Sequence, residues 1–421
     1  LARNDIFVNP LHNKSAMSDA LKARDAKDVE DAVRWALAEG KTLEVAGRGT
    51  KRALGRPSQS DLTLDLSGLS GITLYEPEEL VLSAKAGTPL AEIEALVESK
   101  GQQLAFEPMD YGAILGQPAD AGSLGGALAA NLSGPRRIKA GAARDHFLGF
   151  SAVSGRAETF KSGGRVVKNV TGYDLCKLLA GSFGTLAAMT DVTIKVLPRP
   201  ETEATVLVLG LDDANANAAM SAAMASSCDV SAAAHLPRNM VMHFAGLYVN
   251  QAATAFRIEG FAPSVKHRKD ALMNLLRSFG ALEPIDEPNS RKLWRSVRDA
   301  APFGHNGSVG DWPLWRISTT PARGAEFSSK LPPGAQFFYD WAGGLIWIAL
   351  PPSANAGAAT IRRAAAITGG HATLVRASAA TRASVDVFEP QQGALAQVSK
   401  RVKESFDPKG VLNPGRMWAG V

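Results

Sequence analysis

The sequence predicts an α+β protein of more than one domain. Three observations carry this reading. Helical and strand periodicities alternate from Asp25 onward, glycine-dense loops stand at the ends of several expected strands, and 421 residues exceed the size at which a single hydrophobic core stops growing. The expected division is an N-terminal extension over 1–16, a first α/β region over 17–200, a second over 201–370 and a C-terminal segment over 371–421.

Between Asp25 and Glu39 the apolar residues Val29, Val33, Trp35, Ala36 and Leu37 recur at helical spacing, and Gly40 ends the run. Leu43–Ala46 then reads as a short strand breaking into Gly47-Arg48-Gly49-Thr50-Lys51, and Leu62–Leu66 alternates as a second strand. A third, Leu80–Ala86, leads through Gly87-Thr88-Pro89 into a helix over Leu90–Lys100. The stretch from Gly112 to Gly164 is dense in glycine, with Gly125 and Gly126 opening an expected apolar helix over Ala127–Leu132. Gly181-Ser182-Phe183-Gly184-Thr185 precedes a strand over Asp191–Val196, and Pro198 and Pro200 mark the first boundary. Beyond it come a strand at Thr205–Leu209, a helix over Ala214–Ser227, strands near Phe337–Tyr339 and Leu345–Leu350, and a last helix over Ala394–Ser405. Trp294, Trp312 and Trp315 are expected in a buried core cluster, with an interface as the alternative.

Composition narrows the function. A formal charge of +5 is small for this length and comes with no basic run interleaved with aromatics, which argues against nucleic acid and suits an anionic ligand. Cys176 and Cys228 are the only cysteines, too few for an iron–sulfur cluster or a thiolate zinc site, and they are expected as buried thiols in a reducing compartment; no metal site is expected. No apolar stretch reaches the roughly 20 residues of a membrane span. Residues 1–16 lack the apolar core of a secretory signal, Met17 is the expected start, and the expected location is cytoplasmic.

The chemistry sits in the glycine loops. Glycines directly after a strand let the backbone turn successive N–H groups toward one point, an arrangement that suits a pyrophosphate, and Thr50, Arg48 and Lys51 add a hydroxyl and positive charge. Position 52 is Arg, so the first loop is neither a P-loop nor Gly-x-Gly-x-x-Gly. Gly122-Ser123-Leu124-Gly125-Gly126 is a second such loop and 181–185 a third. Each alone is a plain turn. Three in one α/β chain are harder to dismiss.

Taken together these loops resemble the FAD-binding domain of the vanillyl-alcohol oxidase and p-cresol methylhydroxylase superfamily. Lys168-Asn169-Val170-Thr171-Gly172-Tyr173-Asp174-Leu175 resembles a stretch shared by glycolate and D-lactate dehydrogenases, and Phe406–Gly415 resembles that group's C-terminal signature. The resemblance implies a domain of two α/β subdomains, a cap-like α/β domain, and a C-terminal segment returning to the FAD domain. It implies FAD, with Gly47, Arg48, Gly49, Thr50 and Lys51 on the pyrophosphate and Ser123, Leu124, Gly125 and Gly126, next to Gly122, along the pyrophosphate and flavin side. It further implies Asn131 and Ser133 near the flavin, Gly184 and Thr185 near the adenosine half, and Asn413 turned toward the isoalloxazine. Residues 43–55 hold no His, Cys or Tyr, so the FAD is expected to be non-covalent.

Oxidation of a 2-hydroxy acid needs a hydride acceptor, a base or metal, and a cation for the carboxylate. Catalytic relatives carry His-rich motifs that are missing here, since no two of the seven histidines lie within three residues of each other. The resemblance is therefore to the shorter FAD-binding accessory subunits of bacterial glycolate oxidases. It implies as partners a catalytic flavin-linked subunit and an iron–sulfur subunit, with membrane contact only through them. Two alternatives stay open, a stand-alone FAD oxidoreductase with Arg295, Arg298 and His305 as its substrate cluster, and a flavin-free assembly subunit.

Overall fold

The computed structural model describes residues 20–57, 59–165 and 172–421. The expected extension over 1–16 and the Lys168–Thr171 part of the dehydrogenase-like stretch lie outside them.

The chain opens on a three-stranded parallel sheet in which Leu62–Asp65 lies between Ala20–Lys22 and Leu43–Ala46. Helix Ala26–Glu39 packs on it through Val29, Ala32, Val33 and Ala36, a stripe at helical spacing. The Asp25 carboxylate caps its N-terminus by accepting from the Asp28 N–H at 2.9 Å, and Gly40 ends it in the left-handed region. The C-terminal segment completes this layer, because Leu412 lies parallel to Leu43 and two backbone hydrogen bonds tie residues 411 and 413 to Leu43.

A five-stranded antiparallel sheet follows, in the order Ile72–Glu76, Val81–Lys85, Ala187–Lys195, Phe147–Ser154, Thr159–Gly163. Its core takes Leu82, Ile93, Leu124, Phe147, Leu179 and Ile194 from the sheet and its covering helices. The two layers form the two expected α/β subdomains, and the loops between them build the site.

The remaining layer is an eight-stranded antiparallel sheet running Ala281–Ile285, Thr202–Leu209, Ala253–Gly260, Ala232–Leu236, Gln336–Asp340, Leu345–Ala349, Leu314–Thr319, Gly370–Arg376. Alternation along a strand sends neighbours to opposite faces. Val206 and Val208 thus face the helices Asp213–Met224 and Ala262–Leu276, while Leu207 faces a core shared with Met109, Tyr111 and Leu132 of the first region. Gly370–Arg376 is an edge strand of this sheet, so the sheet runs past 370 and we place the domain boundary after Arg376. Trp294 and Trp315 are buried in the cores on the two faces, and Trp312 is half-buried.

Buried charge fastens this layer to the first region. The Glu107 carboxylate accepts from Arg136 at 2.8 Å and from both terminal nitrogens of Arg257 at 3.1 Å, and Arg136 also donates to Glu259 at 3.0 Å. Burial works against the charge on Glu259, but Arg257 and Arg136 overcome it and hold the carboxyl at about 2.

Candidate functional site

Leu43–Ala46 ends at the middle of the molecule, and the chain turns there through Gly47–Lys51. Gly49 has φ +76°, a value an L side chain rarely adopts. No protein acceptor among the described residues takes the backbone N–H of Gly47, Arg48, Gly49, Thr50 or Lys51. Five successive donors without a protein partner, in a half-buried turn, ask for an anion. The Thr50 hydroxyl is buried and accepts from Lys51 Nζ at 3.3 Å. Among the described residues Lys51 has no carboxylate within ion-pair distance, and burial pulls its ammonium down to about 8, with Asp110 opposing from further away.

The second loop meets the first. A methyl group on Gly47 would lie 2.6 Å from Ser123 Oγ, and one on Gly125 would lie 2.8 Å from the Ala86 carbonyl oxygen, so neither position has room for a side chain. Arg48 Nε donates to the Ala121 carbonyl at 3.0 Å and fixes that approach. The helix here covers Leu124–Ala129, with Ser123 accepting from the Gly126 N–H at 3.3 Å. The expected Ala127–Leu132 range is thus corrected: Gly125 and Gly126 lie inside the first turn. The helix stops where Asn131 turns to φ +50°. With that of Gly126, three N–H groups of this loop are used within the protein, Leu124 donating to Thr88 and Gly125 to Ala86. The Leu124 side chain is buried in the core rather than turned to the site.

The third loop closes the same space. A cleft of about 750 Å³ is lined by Gly47–Lys51, by Ser123, Gly125 and Gly126, and by Phe183 and Gly184. Thr185 stands behind it, buried, its hydroxyl donating to the Ser182 carbonyl at 2.8 Å. Gly122 lies just outside the lining, with Lys51 Nζ close by.

Asn413 differs from its expected role. It is fully buried, its Oδ1 accepts from the Val45 N–H at 2.9 Å, and its Nδ2 donates to the Phe183 carbonyl at 2.7 Å. Both amide ends are consumed in joining the first loop's strand to the third loop, which leaves nothing to face a ring. Lys403, which the sequence reading passed over, does similar work. Its buried ammonium donates to the Thr185 carbonyl at 2.6 Å, the Leu412 carbonyl at 2.9 Å and the Asp407 carboxylate at 2.7 Å. Arg416 donates to the Lys51 carbonyl at 2.8 Å.

A second cleft of about 1500 Å³ adjoins the first and shares Ala130 and Phe183 with it. Asn131 and Ser133 line this second cleft, not the first. Arg137 and Arg144 on one side and Arg316 and His371 on the other also line it across the domain junction, and the two sides lie far apart in the sequence, which gives no local sign of the grouping. The guanidinium carbons of Arg137 and Arg316 lie 4.2 and 4.9 Å from the centre of the Trp341 ring.

Arg295, Arg298 and His305 line neither cleft, which corrects their expected grouping as a substrate cluster. Arg295 and His305 are exposed, and Arg298 is spent on Asp299, at 2.8 and 2.7 Å. That pair is structural, since Asp299 also accepts from the Asp110 N–H at 3.0 Å. Cys176 and Cys228 are both buried and free, and burial pushes the Cys176 thiol up to about 12.

The sequence pattern of the FAD binding domain matches residues 20–163. The chain is 34% identical over 394 residues to the glycolate oxidase subunit GlcE of Escherichia coli (strain K12), spanning 92% of this chain and 96% of that one. It is 32% identical over 164 residues to the glycolate oxidase subunit GlcD of Bacillus subtilis (strain 168), and this match covers only 33% of that longer protein. Among solved structures, p-cresol methylhydroxylase with substrate bound superposes with a TM-score of 0.67 at 13% identity, covering 94% of this chain and 88% of that one.

Proposed function

The chain belongs to the family of the glycolate oxidase subunit GlcE, and from that premise we propose that it is the FAD-binding subunit of a glycolate oxidase complex. In this reading it holds its flavin non-covalently in the three-loop cleft, beside a catalytic flavin-bearing chain and an iron–sulfur chain. The observation that carries it is the run of five backbone N–H groups from Gly47 to Lys51 that find no acceptor among the described residues, in a loop lining the same cleft as Lys51. A diphosphate satisfies both at once.

A bound flavin supplies a carrier that takes two electrons together and releases them singly. The chain's own residues position it. Gly47 and Gly125 let the loops close in, Gly49 supplies the left-handed turn, Lys51 supplies the charge, and Phe183 with Ala130 stands between the cleft and the second one. With two cysteines in 421 residues, one-electron clusters belong to another chain. Among the described residues no helix is long and apolar enough to cross a membrane. We therefore place any membrane contact in the partner chains.

The test is co-purification of the complex from its native host, followed by a visible spectrum and acid precipitation. Flavin released to the supernatant from this chain, with a flavin-bearing and an iron–sulfur chain co-eluting, supports the reading. A colourless chain, or flavin retained in the pellet by this chain, overturns the corresponding part. Anaerobic addition of glycolate then asks whether both flavins bleach, as passage of electrons through this chain requires.

A further inference from the structure

The proposed function makes no use of a third cleft, of about 1510 Å³, which shares no lining residue with the first two. It opens where strand Thr202–Leu209 gives way to helix Asp213–Met224, beside the end of strand Ala232–Leu236, the start of strand Ala253–Gly260 and helix Gly324–Ser328. His235 lines it. Along its strand Ala232, Ala234 and Leu236 face the core shared with the first region, so alternation turns His235, like Ala233, to the opposite, helix-covered face. The third cleft therefore lies across the large sheet from the core that joins it to the first region.

The His235 imidazole is the group that asks for a ligand. It is 1% exposed, its Nδ1 lies 2.9 Å from the Thr254 hydroxyl, and its Nε2 has no hydrogen-bond partner among the described residues. Asp213 Oδ1 stands 3.4 Å from that Nε2. Oδ2 of the same carboxylate accepts from Ser328 Oγ at 3.1 Å, and Ser328 in turn accepts from the Tyr339 hydroxyl at 2.5 Å. With Nδ1–H donating to Thr254, the Nε2 lone pair and Asp213 Oδ1 are two acceptors side by side, each fixed from behind. A buried acceptor pair of this kind is stable only when a donor sits between its members.

Charge decides which donor. Asp212 and Asp213 both line the cleft, and among the described residues neither has a Lys or Arg nitrogen within 4.0 Å. No three His, Cys, Asp or Glu side chains among the described residues come together to hold a metal ion. A primary ammonium brings the missing positive charge and three N–H donors for the two acceptors to share. The same cleft also offers groups for an anion. Arg238 lines it with no carboxylate within 4.0 Å among the described residues, and the N–H groups of Asp213 and Ala214, which open a 12-residue helix, find no protein acceptor there. We propose that this cleft binds a small α-amino acid, its ammonium on Asp213 and His235 and its carboxylate toward Arg238 and the first turn of the helix. The site stands apart from the flavin and needs none of the function proposed above.

The test is isothermal titration calorimetry of the full chain with glycine, methylamine, acetate and D-ribose. Glycine should bind, while methylamine and acetate, each carrying one of its ends, should bind more weakly. Asp213→Asn keeps the shape of the side chain and should weaken glycine by about tenfold or more, the worth of a charge-assisted hydrogen bond. Arg238→Gln alters an exposed side chain, so it provides a readout if Asp213→Asn fails to fold. It should weaken glycine and leave methylamine unchanged. Absence of glycine binding, glycine binding unchanged in both variants, or ribose binding as tightly as glycine would overturn the proposal. Flavin absorbance of the same samples keeps the two readings apart. A yellow chain that binds no glycine sinks this site alone, and a colourless chain that binds glycine sinks only the flavin.

Discussion

At the residue scale, Lys51 is where charge and pH meet. Its ammonium, lowered to about 8 by burial, gains a partner when a diphosphate enters the nest, and the bound value must then rise. By linkage, affinity for FAD is full below pH 8 and declines as pH climbs through the free value toward the bound one. Fluorescence-quench titrations of the deflavinated chain from pH 6.5 to 9.5 check this. Lys51→Met should weaken binding by about 10- to 100-fold, the worth of one charge-assisted hydrogen bond, and flatten the decline. Gly184 is the second test. It holds φ +71°, and a methyl there would sit 2.7 Å from Asn413 Nδ2. Gly184→Ala should cost about 1–3 kcal/mol in urea unfolding and loosen the flavin with it. These loops could be read from the sequence because glycine announces backbone geometry locally. Arg137, Arg144, Arg316 and His371 could not, since nothing local marks four residues that only the domain junction brings together.

At the scale of elements, the tail signature is a latch. Asp407 accepts from Val411 and Leu412 N–H groups at 2.9 and 2.8 Å, which curls the segment so that Asn413 reaches both Val45 and Phe183. Asp407→Ala should strand the buried Lys403 ammonium and cost about 3–5 kcal/mol. Replacing the pair together, Lys403→Met with Asp407→Leu, should cost less than Asp407→Ala, because no lone charge remains. Thermal melts of the three proteins decide this, and flavin retention should follow the same order. The motif therefore keeps the loops registered and need not touch the ring, which sequence resemblance alone cannot distinguish. Legibility of the strands depended on composition in the same way. Leu43–Ala46 and Thr202–Leu209 carry the branched residues that mark a strand, and both lie where the sequence puts them, the second extended by three residues. Ala232–Leu236 is fully buried in the middle of the large sheet, yet its three alanines read as helix-prone. Small side chains there let layers pack closely on both faces, a tertiary demand that outweighs propensity.

At the scale of the whole molecule, the two halves of the second cleft keep their spacing through the Glu107, Arg136, Arg257 and Glu259 network. Its pH dependence follows from Glu259. Burial alone would raise that carboxyl, but Arg257 and Arg136 depress it to about 2 from the usual 4.5. A depressed folded value means the stabilisation is complete above the unfolded value and is lost as pH falls from about 4.5 toward 2. The shift corresponds to roughly 3 kcal/mol at 1.36 kcal/mol per unit. The melting temperature should therefore drop steeply as pH falls from about 4.5 toward 2, and Glu259→Gln should start lower and lose part of that slope. If the network joins the halves rather than merely stabilising one of them, acid should act on the cleft before it acts on the sheets. Tryptophan fluorescence, to which Trp294 against Arg257 and Trp341 against Arg137 and Arg316 contribute at the junction, should then change at a higher pH than the far-UV circular dichroism. Coincident transitions would mean that the charges hold the large sheet together and not the joint, and the second cleft would owe its geometry to the apolar contacts of Met109, Tyr111 and Leu132 instead.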